Sequence, residues 1–405
     1  MDPLDIIEDL TKVKPAFQPI ISAVSHIVIG YEVLGRFNFE DNWLSLRGFF
    51  QDNDVPDEYK VEVNNHLLKL AIDQMLHSNS QGLLFINRNV KQLLINSGED
   101  FLATLQTYQK NGFSMNRIVL EITEHEFDED FDVLHHLLMY YKTYGIQIAV
   151  DHVGAKSSNI DRIRQLRPHI LKIDTNLVRN ANPGAFQDVI QTLTVLARRI
   201  GAKLSYENIE DNYQLYFAWK NGGHFYQGLH LAKPNFEIPT THFTSYDVGE
   251  KITVFVQREK LSIEKRYAFT DSLEEKLKKV LSKWQGPETA DRFIESVSQS
   301  FDKESFRLYI CNSDGRQVSS NFQKREKLWV FESEHFGSHW AFRPYFLENV
   351  MQMKTWNRGI LSDVYSDIET TKMIRTFSFP LSGDCYLFID ISNEFVSEAD
   401  YLLFQ

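Results

Sequence analysis

Short apolar runs that end in polar residues recur between about residues 15 and 235 of the chain. They include HIVIGYEVLGR, GLLFINRN, RIVLEITEH, IQIAVDHVG, ILKIDTN, AKLSYENIE and FYQGLHLAKP. The stretches between them, such as VLHHLLMYYKTYGI, carry apolar residues at three- and four-residue spacing, which is typical of amphipathic helices. This alternation of strands and helices predicts an α/β fold, a TIM-type (β/α)8 barrel.

The pattern changes after Pro234. From Ile252 to Trp284 the apolar residues fall at mostly helical spacings, which predicts a long connecting helix that stops before the Gly286-Pro287 pair. Beyond it, SFRLYICNSDGRQVSSN and TFSFPLSGDCYLFIDIS each predict two strands joined by a turn, within an α+β domain. We therefore expect a barrel over residues 1–245, a helical connector over 246–286 and a sensor-like domain over 287–405.

Composition narrows the class of protein. The chain carries 43 Lys and Arg against 55 Asp and Glu, and its net charge of −12 disfavours binding to nucleic acid polymers or anionic membranes. We read neither a signal peptide nor a membrane-spanning apolar run, so we expect a cytoplasmic protein with no membrane partner. Two cysteines, Cys311 and Cys385, are too few for a disulfide framework and fit a reducing compartment.

Polar residues stand at the predicted C-terminal ends of the barrel strands, and these ends meet at one mouth in a TIM-type barrel. A single carboxylate there is more often a helix N-cap or a solvated loop charge. Several carboxylates that converge without many cations would repel one another unless a hard divalent cation lay among them. The set predicts a site for Mg²⁺, Mn²⁺ or Ca²⁺, and its members are Glu32, Asn87, Glu121, Asp151, Lys172, Glu207 and Gln227.

The order of these segments resembles the EAL domain of bacterial cyclic di-GMP phosphodiesterases. FQPI at residues 17–20 is similar to the YQPI that opens that domain, and EVLGR at residues 32–36 stands at its E(A/V)LxR signature. INRN, EITE, KID, ENIE and QGL then follow in the family's order. The resemblance covers about half of the chain, and it implies an EAL barrel, cyclic di-GMP as ligand and a divalent metal as cofactor.

The resemblance also implies a role for individual residues. The metal ligands would be Glu32, Asn87, Glu121, Asp151 and His152. The catalytic groups would be Lys172, which hydrogen-bonds the attacking water in the family, and Glu207. The ligand contacts would be Gln18, Arg36, Asp174, Glu210, Gln227 and Pro234.

One departure from the family pattern falls at the position of its second metal ion. His152 stands where the family has a second aspartate, and Ala155-Lys156 replaces a Thr-Gly pair in the loop that follows. An imidazole is a poor ligand for Mg²⁺, which prefers oxygen. We therefore expect a cyclic di-GMP receptor with weak or absent hydrolysis. The alternatives are an active phosphodiesterase that yields linear pGpG and a scaffold that has lost both properties.

The C-terminal stretch from HWAFRPYFLENVM to SDVYSDIETTKMIRTFSFPL resembles Cache and PAS-like sensor modules. This resemblance implies a pocket for an unidentified small ligand, although aromatic residues in such a stretch are also typical of a core. The combination of barrel, long helix and sensor module resembles EAL proteins that form homodimers, so we expect a homodimer. The residues that would line the pocket are Trp340, Arg343, Tyr345 and Asp363.

Overall fold

The computed structural model describes residues 3–123, 131–154, 159–177, 183–238, 248–326, 328–343 and 346–392. The chain divides into two compact units, Met1–Val254 and Phe255–Gln405. The three-segment division predicted from the sequence stays a prediction in its exact bounds. In the described part of the chain, no helix combines the length and the apolar character needed to span a bilayer.

The first unit is built around a sheet that closes into a barrel through the pairing of its first two strands. Around the barrel the strands follow the order β2, β4, β5, β6, β7, β8 and β9, and each pairs in parallel with the next, as the (β/α)8 prediction requires. The strands are β1 (Val13–Ser22), β2 (Val28–Phe39), β3 (Asn42–Ser45), β4 (Leu83–Asn87), β5 (Ile118–Thr123), β6 (Gln147–Asp151), β7 (Ile170–Asp174), β8 (Lys203–Glu207) and β9 (Phe225–Tyr226).

The barrel differs from a fully parallel one in its first strand. Strand β1 runs antiparallel to both of its neighbours, β2 and β9. The reason is the short connection at residues 23–27, which leaves no room for the helical crossover that parallel strands need. Strand β3 then folds back on β2 as a second hairpin, with Arg36 opposite Ser45.

Helix α6 (Phe131–Thr143) covers most of the stretch VLHHLLMYYKTYGI that the sequence predicts to be helical. Gly112, Gly145 and Gly201 follow three helices of this unit with φ values of 94°, 84° and 75°, the left-handed conformation in which glycine ends a helix. The helices are α1 (Pro3–Glu8), α2 (Arg47–Gln51), α3 (Asp57–His77), α4 (Val90–Leu94), α5 (Glu99–Lys110), α6 (Phe131–Thr143), α7 (Ile160–Leu166), α8 (Pro183–Ile200) and α9 (Asn212–Lys220).

The predicted connecting helix is α10 (Val248–Lys278), which begins within the first unit and ends within the second. It starts before Ile252 and stops short of Trp284, because residues 281–283 tighten into a 3-10 turn. The second unit also contains helices α11 (Ala290–Phe301) and α12 (Phe346–Trp356).

A seven-stranded antiparallel sheet forms the body of the second unit. The predicted hairpin over TFSFPLSGDCYLFIDIS is present as β15 (Met373–Leu381) and β16 (Cys385–Ser392). In the other predicted hairpin, β10 (Ser305–Asn312) forms, but its partner β11 begins only at Asn321, where the predicted second strand ends. One face of the sheet packs against α10 and α11 through a cluster that includes Leu277 and Phe293, and the other packs against α12 through Phe346. The strands are β10 (Ser305–Asn312), β11 (Asn321–Arg325), β12 (Leu328–Glu332), β13 (Ile360–Leu361), β14 (Tyr365–Ser366), β15 (Met373–Leu381) and β16 (Cys385–Ser392).

Candidate metal and ligand site

The strand ends of the barrel surround one fully buried ammonium group. Lys172 Nζ, at the end of β7, lies 3.4 Å from Glu32 Oε2, 2.8 Å from Glu121 Oε1 and 3.2 Å from Glu207 Oε2. The parallel register explains this, since it sets Glu207 beside Asp174 and Glu121 beside Asn87 at the same end of the barrel. We call six residues at this end of the barrel the floor cluster: Glu32, Glu121, Asp151, His152, Lys172 and Glu207.

Two side-chain amides orient the carboxylate of Glu32. Asn87 Nδ2 donates to Glu32 Oε1 at 2.6 Å, and Gln227 Nε2 donates to Glu32 Oε2 at 2.6 Å. Gln227 Nε2 also lies 3.2 Å from Gln18 Oε1, which brings β1 into the site. Four strands thus position one carboxylate, so its orientation is determined by the barrel itself.

Gly228 allows the chain to bring Gln227 into this position. The N–H of Ile209 donates to the carbonyl of Gln227 at 3.1 Å, which presses the two backbone segments together. A Cβ added to Gly228 would lie 2.1 Å from the Ile209 carbonyl oxygen, far inside van der Waals contact. A glycine is therefore required next to Gln227.

His152 lies between two carboxylates of the floor cluster. Its Nδ1 is 3.0 Å from Asp151 Oδ1 and 3.3 Å from Glu207 Oε1. Its backbone N–H donates to Asp151 Oδ1 at 2.7 Å, in a left-handed conformation with φ of 59°. One ligand atom from each of the three residues lies within 4.8 Å of the others, so together they could hold a metal ion.

Burial and charge shift the pKa values of the floor cluster in opposite directions. Burial, aided by Glu32, raises the pKa of Glu121 well above its usual range, and burial beside Asp151 raises that of Glu207. Burial alone would lower the pKa of Lys172, but the carboxylates around it raise it.

The pair of Asp151 and His152 shows the same opposition. Burial alone would raise the pKa of Asp151, but Lys172 and His152 hold it below its usual range. Hydrogen bonds to Asp151 and Glu207 raise the pKa of His152 to about 10. In the floor cluster, four carboxyl groups therefore face two cationic groups, Lys172 and His152.

The donor set of the floor cluster fits a hard divalent cation. Gln227 Oε1 is buried and accepts no hydrogen bond in the described part of the chain, and Glu207 Oε1 faces His152 Nδ1 at 3.3 Å. Carboxylate and amide oxygen atoms are the ligands that Mg²⁺, Mn²⁺ and Ca²⁺ prefer. The described residues that bring one ligand atom each within 4.8 Å of one another here are Asp151, His152 and Glu207. That Glu32, Asn87, Glu121 and Asp151 hold an ion stays a prediction.

An open cleft of about 520 Å³ lies above the floor cluster. The structure brings most of the predicted site residues into its lining, whereas Glu121 and Lys172 lie fully buried beneath it. Two further arginines line the cleft and were missed by the sequence reasoning. Arg88 directly follows Asn87, which was a usable signal, whereas Arg47 comes after the short strand β3, which no apolar run predicts. The predicted residues in the lining are Gln18, Glu32, Arg36, Asn87, Asp151, His152, Glu207 and Gln227.

Three predicted ligand contacts are not part of that lining. Asp174 Oδ1 accepts the backbone N–H of Asn176 at 2.8 Å, Glu210 is exposed, and Pro234 lies beyond β9. Their contact with a ligand stays a prediction. Ala155-Lys156, in the loop that departs from the family pattern, lies outside the described residues.

The residues expected to line a pocket in the second unit are placed in part. Trp340 Nε1 donates to Gln317 Oε1 at 2.8 Å, and the Arg343 guanidinium lies 4.4 Å from the Trp340 ring centroid. The exposed side chain of Asp363 pairs with Arg266 at 3.0 Å, and Tyr345 lies outside the described residues. A ligand pocket in this unit stays a prediction.

Comparison with known proteins agrees with this geometry. The EAL domain model matches residues 7–234, and that of an EAL-domain associated signalling protein domain matches residues 241–403. The chain is 39% identical over 406 residues to the uncharacterized EAL-domain containing protein YkuI of Bacillus subtilis, and the match covers 100% of both chains. It is 24% identical over 238 residues to the probable cyclic di-GMP phosphodiesterase PdeD of Escherichia coli, covering 58% of this chain and 43% of PdeD.

The crystal structure of Bacillus subtilis YkuI, in complex with the substrate c-di-GMP and calcium, has the same fold. Its TM-score against this chain is 0.93, and the match covers 98% of this chain and 99% of that one. The closed barrel predicted from the sequence is confirmed by this match. Through its strand-end carboxylates, its barrel and these relatives, the chain belongs to the family of EAL-domain proteins.

Proposed function

We propose that this protein binds cyclic di-GMP through a divalent cation held by the floor cluster, and that it hydrolyses the ligand slowly or not at all. Binding is supported by the 39% identical YkuI, whose structure is a complex with c-di-GMP and calcium. It is also supported by the cleft, which combines an acidic floor with a wall that contains Arg36. The acidic floor would hold the cation, and the guanidinium would bind phosphate.

The cation would be held by oxygen atoms of Glu32, Asn87, Glu121 and Asp151. When bound, it would neutralise and polarise a phosphate oxygen of the ligand. The protein's own groups then have separate tasks: Arg36 binds a phosphate oxygen, while Lys172 keeps the surrounding carboxylates together. Gln227 and Asn87 hold Glu32 in place through bonds of 2.6 Å each.

The observation that carries weak or absent hydrolysis is the position of His152. Two-metal hydrolysis needs a second cation among carboxylates that flank the first. His152 Nδ1 lies 3.0 Å from Asp151 Oδ1 and 3.3 Å from Glu207 Oε1, so it contacts two carboxylates that would serve a second ion. An imidazole offers one nitrogen lone pair where a second aspartate would offer two oxygens, and Mg²⁺ discriminates against nitrogen.

A second candidate function, active phosphodiesterase, is favoured by one observation. Lys172 and Glu207, the predicted catalytic groups, lie 3.2 Å apart in the site with their carboxylate neighbours in place. Mn²⁺ accepts imidazole more readily than Mg²⁺ does, so this function would appear first with manganese.

The test is to titrate the purified full chain with cyclic di-GMP in Ca²⁺ by calorimetry and to follow product by chromatography in Mg²⁺ and then Mn²⁺. We expect binding that is lost in a chelator, and little or no product. His152→Asp should then raise turnover at least tenfold, a gain of about 1.4 kcal/mol in transition-state stabilisation. His136→Asp, at an exposed position on α6, is the matched control and should change nothing.

If the wild type hydrolyses cyclic di-GMP as fast as His152→Asp does, the protein is an active phosphodiesterase and the receptor hypothesis is wrong. If the wild type binds no cyclic di-GMP, only the scaffold hypothesis remains.

The homodimer, the cytoplasmic location and a small ligand in the second unit remain proposals that rest on the resemblance and composition given above. For the homodimer, the second unit adds one supporting feature. Leu261 and Tyr267 on α10 are 50% and 63% exposed, so the helix carries apolar surface that a second copy could cover.

A further inference from the structure

The wall of the cleft carries Arg36, Arg47 and Arg88 among the described residues, and their surroundings differ. Arg36 Nη1 donates to the carbonyl of Gly35 at 3.0 Å. Arg88 is buried, and its Nη2 donates to the carbonyl of Asn64 at 3.1 Å. Arg47 is exposed, and within the described ranges its guanidinium meets no hydrogen-bond or ion-pair acceptor. Arg36 therefore keeps part of its guanidinium available for a ligand, and Arg47 keeps all of it.

The backbone that carries Arg47 is rigidly tied to the one that carries Arg36. The carbonyl of Gly35, which accepts from Arg36 Nη1, also accepts the N–H of Leu46 at 3.1 Å. Leu46 is fully buried, and a Cβ on Gly35 would lie 2.9 Å from its Cδ1, so the two segments are in direct contact. Both arginines therefore extend from one fixed corner of the β2–β3 hairpin, at positions that depend little on loop motion.

We propose that Arg47 binds the second phosphate of the cyclic dinucleotide while the floor cation and Arg36 take the first. This inference rests on the proposed function. A cyclic dinucleotide carries two phosphodiesters on opposite sides of its ring, so the one at the floor leaves the other near the rim of the cleft. An anion there needs a cation beside it, because the chain as a whole has a net charge of −12.

The consequence is a preference for ligands with two phosphates. The floor cation and Arg36 can serve any nucleotide with one phosphate. Arg47 adds a planar pair of donors that only a ligand with a second phosphate reaches. Arg47 is therefore a specificity-determining residue, and its loss should weaken the dinucleotide without weakening a mononucleotide.

The experiment compares cyclic di-GMP with 5′-GMP by direct calorimetric titration of the full chain in Ca²⁺. For Arg47→Ala we expect the affinity for cyclic di-GMP to fall about tenfold, which is about 1.4 kcal/mol, and the affinity for 5′-GMP to stay the same. Arg47→Lys should keep part of the affinity, since it retains the charge but loses the paired donors. Arg198→Ala, an exposed arginine on α8, is the matched control.

Unchanged binding of cyclic di-GMP by Arg47→Ala would overturn this inference alone. An equal loss for both nucleotides, or an equal loss in Arg198→Ala, would overturn the assignment to a second phosphate, because the effect would then be a general one of charge. A wild-type protein that binds no cyclic di-GMP would overturn the proposed function together with this inference, so the two failures are distinguishable.

Discussion

The two units of the protein each bury a cluster in which one cation contacts three carboxylates. In the first unit the cation is Lys172 of the floor cluster. In the second it is Arg307 on β10, which contacts Asp367, Glu369 and Asp390 at 2.6, 3.0 and 2.7 Å. By charge alone the two clusters look alike, yet their hydrogen bonding differs.

The Arg307 cluster is satisfied by its own neighbours. Asp390 accepts from Arg307 Nε at one oxygen and from Thr376 Oγ1 at the other, at 2.7 and 2.6 Å. Asp367 accepts from Arg307 at Oδ1 and from the N–H and Oγ1 of Thr370 at Oδ2. Both oxygens of both buried aspartates thus have donors, which is the arrangement that stabilises a fold.

The floor cluster is left incomplete by its neighbours. Gln227 Oε1, which borders the cluster, accepts no hydrogen bond from the described residues, and the cluster lies under an open cleft. An excess of carboxyl groups over cations by itself therefore does not distinguish a ligand site from a structural one. A buried acceptor without a donor, placed beneath a cleft, makes that distinction.

The comparison of the two clusters predicts its largest effect, a loss of stability, in the second unit. Arg307→Met leaves Asp367 and Asp390 buried without their cation, and the free energy of unfolding should fall by about 3–5 kcal/mol. Urea unfolding followed by fluorescence measures it. Arg325→Ala is the control, because its exposed guanidinium forms a single ion pair among the described residues, with Glu332, and its removal should lose less than about 1 kcal/mol. A similar loss in both variants would mean that the Arg307 cluster is not structural.

In the floor cluster we expect a smaller effect, and on metal binding rather than on stability. Glu121→Gln removes one surplus carboxylate but keeps an acceptor for Lys172, so the metal-free protein should melt no lower than the wild type in a chelator. Its Ca²⁺ affinity should fall about 100-fold, or about 2.7 kcal/mol, measured by calorimetry. Glu62→Gln, exposed on α3, should leave both quantities unchanged. Lower thermal stability with unchanged Ca²⁺ affinity would make the floor cluster structural as well.

The smallest effect concerns pH and Asp367. Burial alone would raise its pKa, but hydrogen bonds from Arg307 and Thr370 hold the pKa below its usual range. A carboxyl with a lowered pKa in the folded state stabilises the fold above its unfolded pKa of about 4, and that contribution is lost as the pH falls through the lower folded value. Asp367→Asn should therefore lose about 1.5 kcal/mol at neutral pH and progressively less below about pH 4.

Urea midpoints measured across this pH range test the Asp367 prediction. Curves for wild type and Asp367→Asn that stay parallel down to low pH would contradict it. In that case Asp367 would not titrate differently in the folded and unfolded protein.

Much of the barrel and its floor follows from the sequence, because each apolar run ends at a residue that the parallel register carries to the same mouth. Glu121 at the end of VLEIT and Lys172 in ILKID are found in this way. The direction of β1 is not, since a two-residue alternation looks the same for either strand direction. The position of Arg47 depends on the contact between Leu46 and Gly35, which joins residues that no local pattern links.

The Arg307 cluster lies beyond sequence reasoning for a related reason. Its partners are 60, 62 and 83 residues away along the chain, so the pairing depends on strand order in the sheet. Arg307 itself looks like one polar position in an apolar run. Local spacing therefore predicts sites at strand ends better than ion pairs across a sheet.

The left-handed backbone of His152 has an evolutionary consequence. Aspartate and asparagine adopt a φ near its 59° more readily than most residues, so either could replace the histidine without rearranging the loop. Codons for histidine, aspartate and asparagine differ from one another by a single first-position nucleotide. Under the function proposed above, a lineage could therefore gain or lose ligand turnover by a single point mutation that leaves the barrel and the cleft in place.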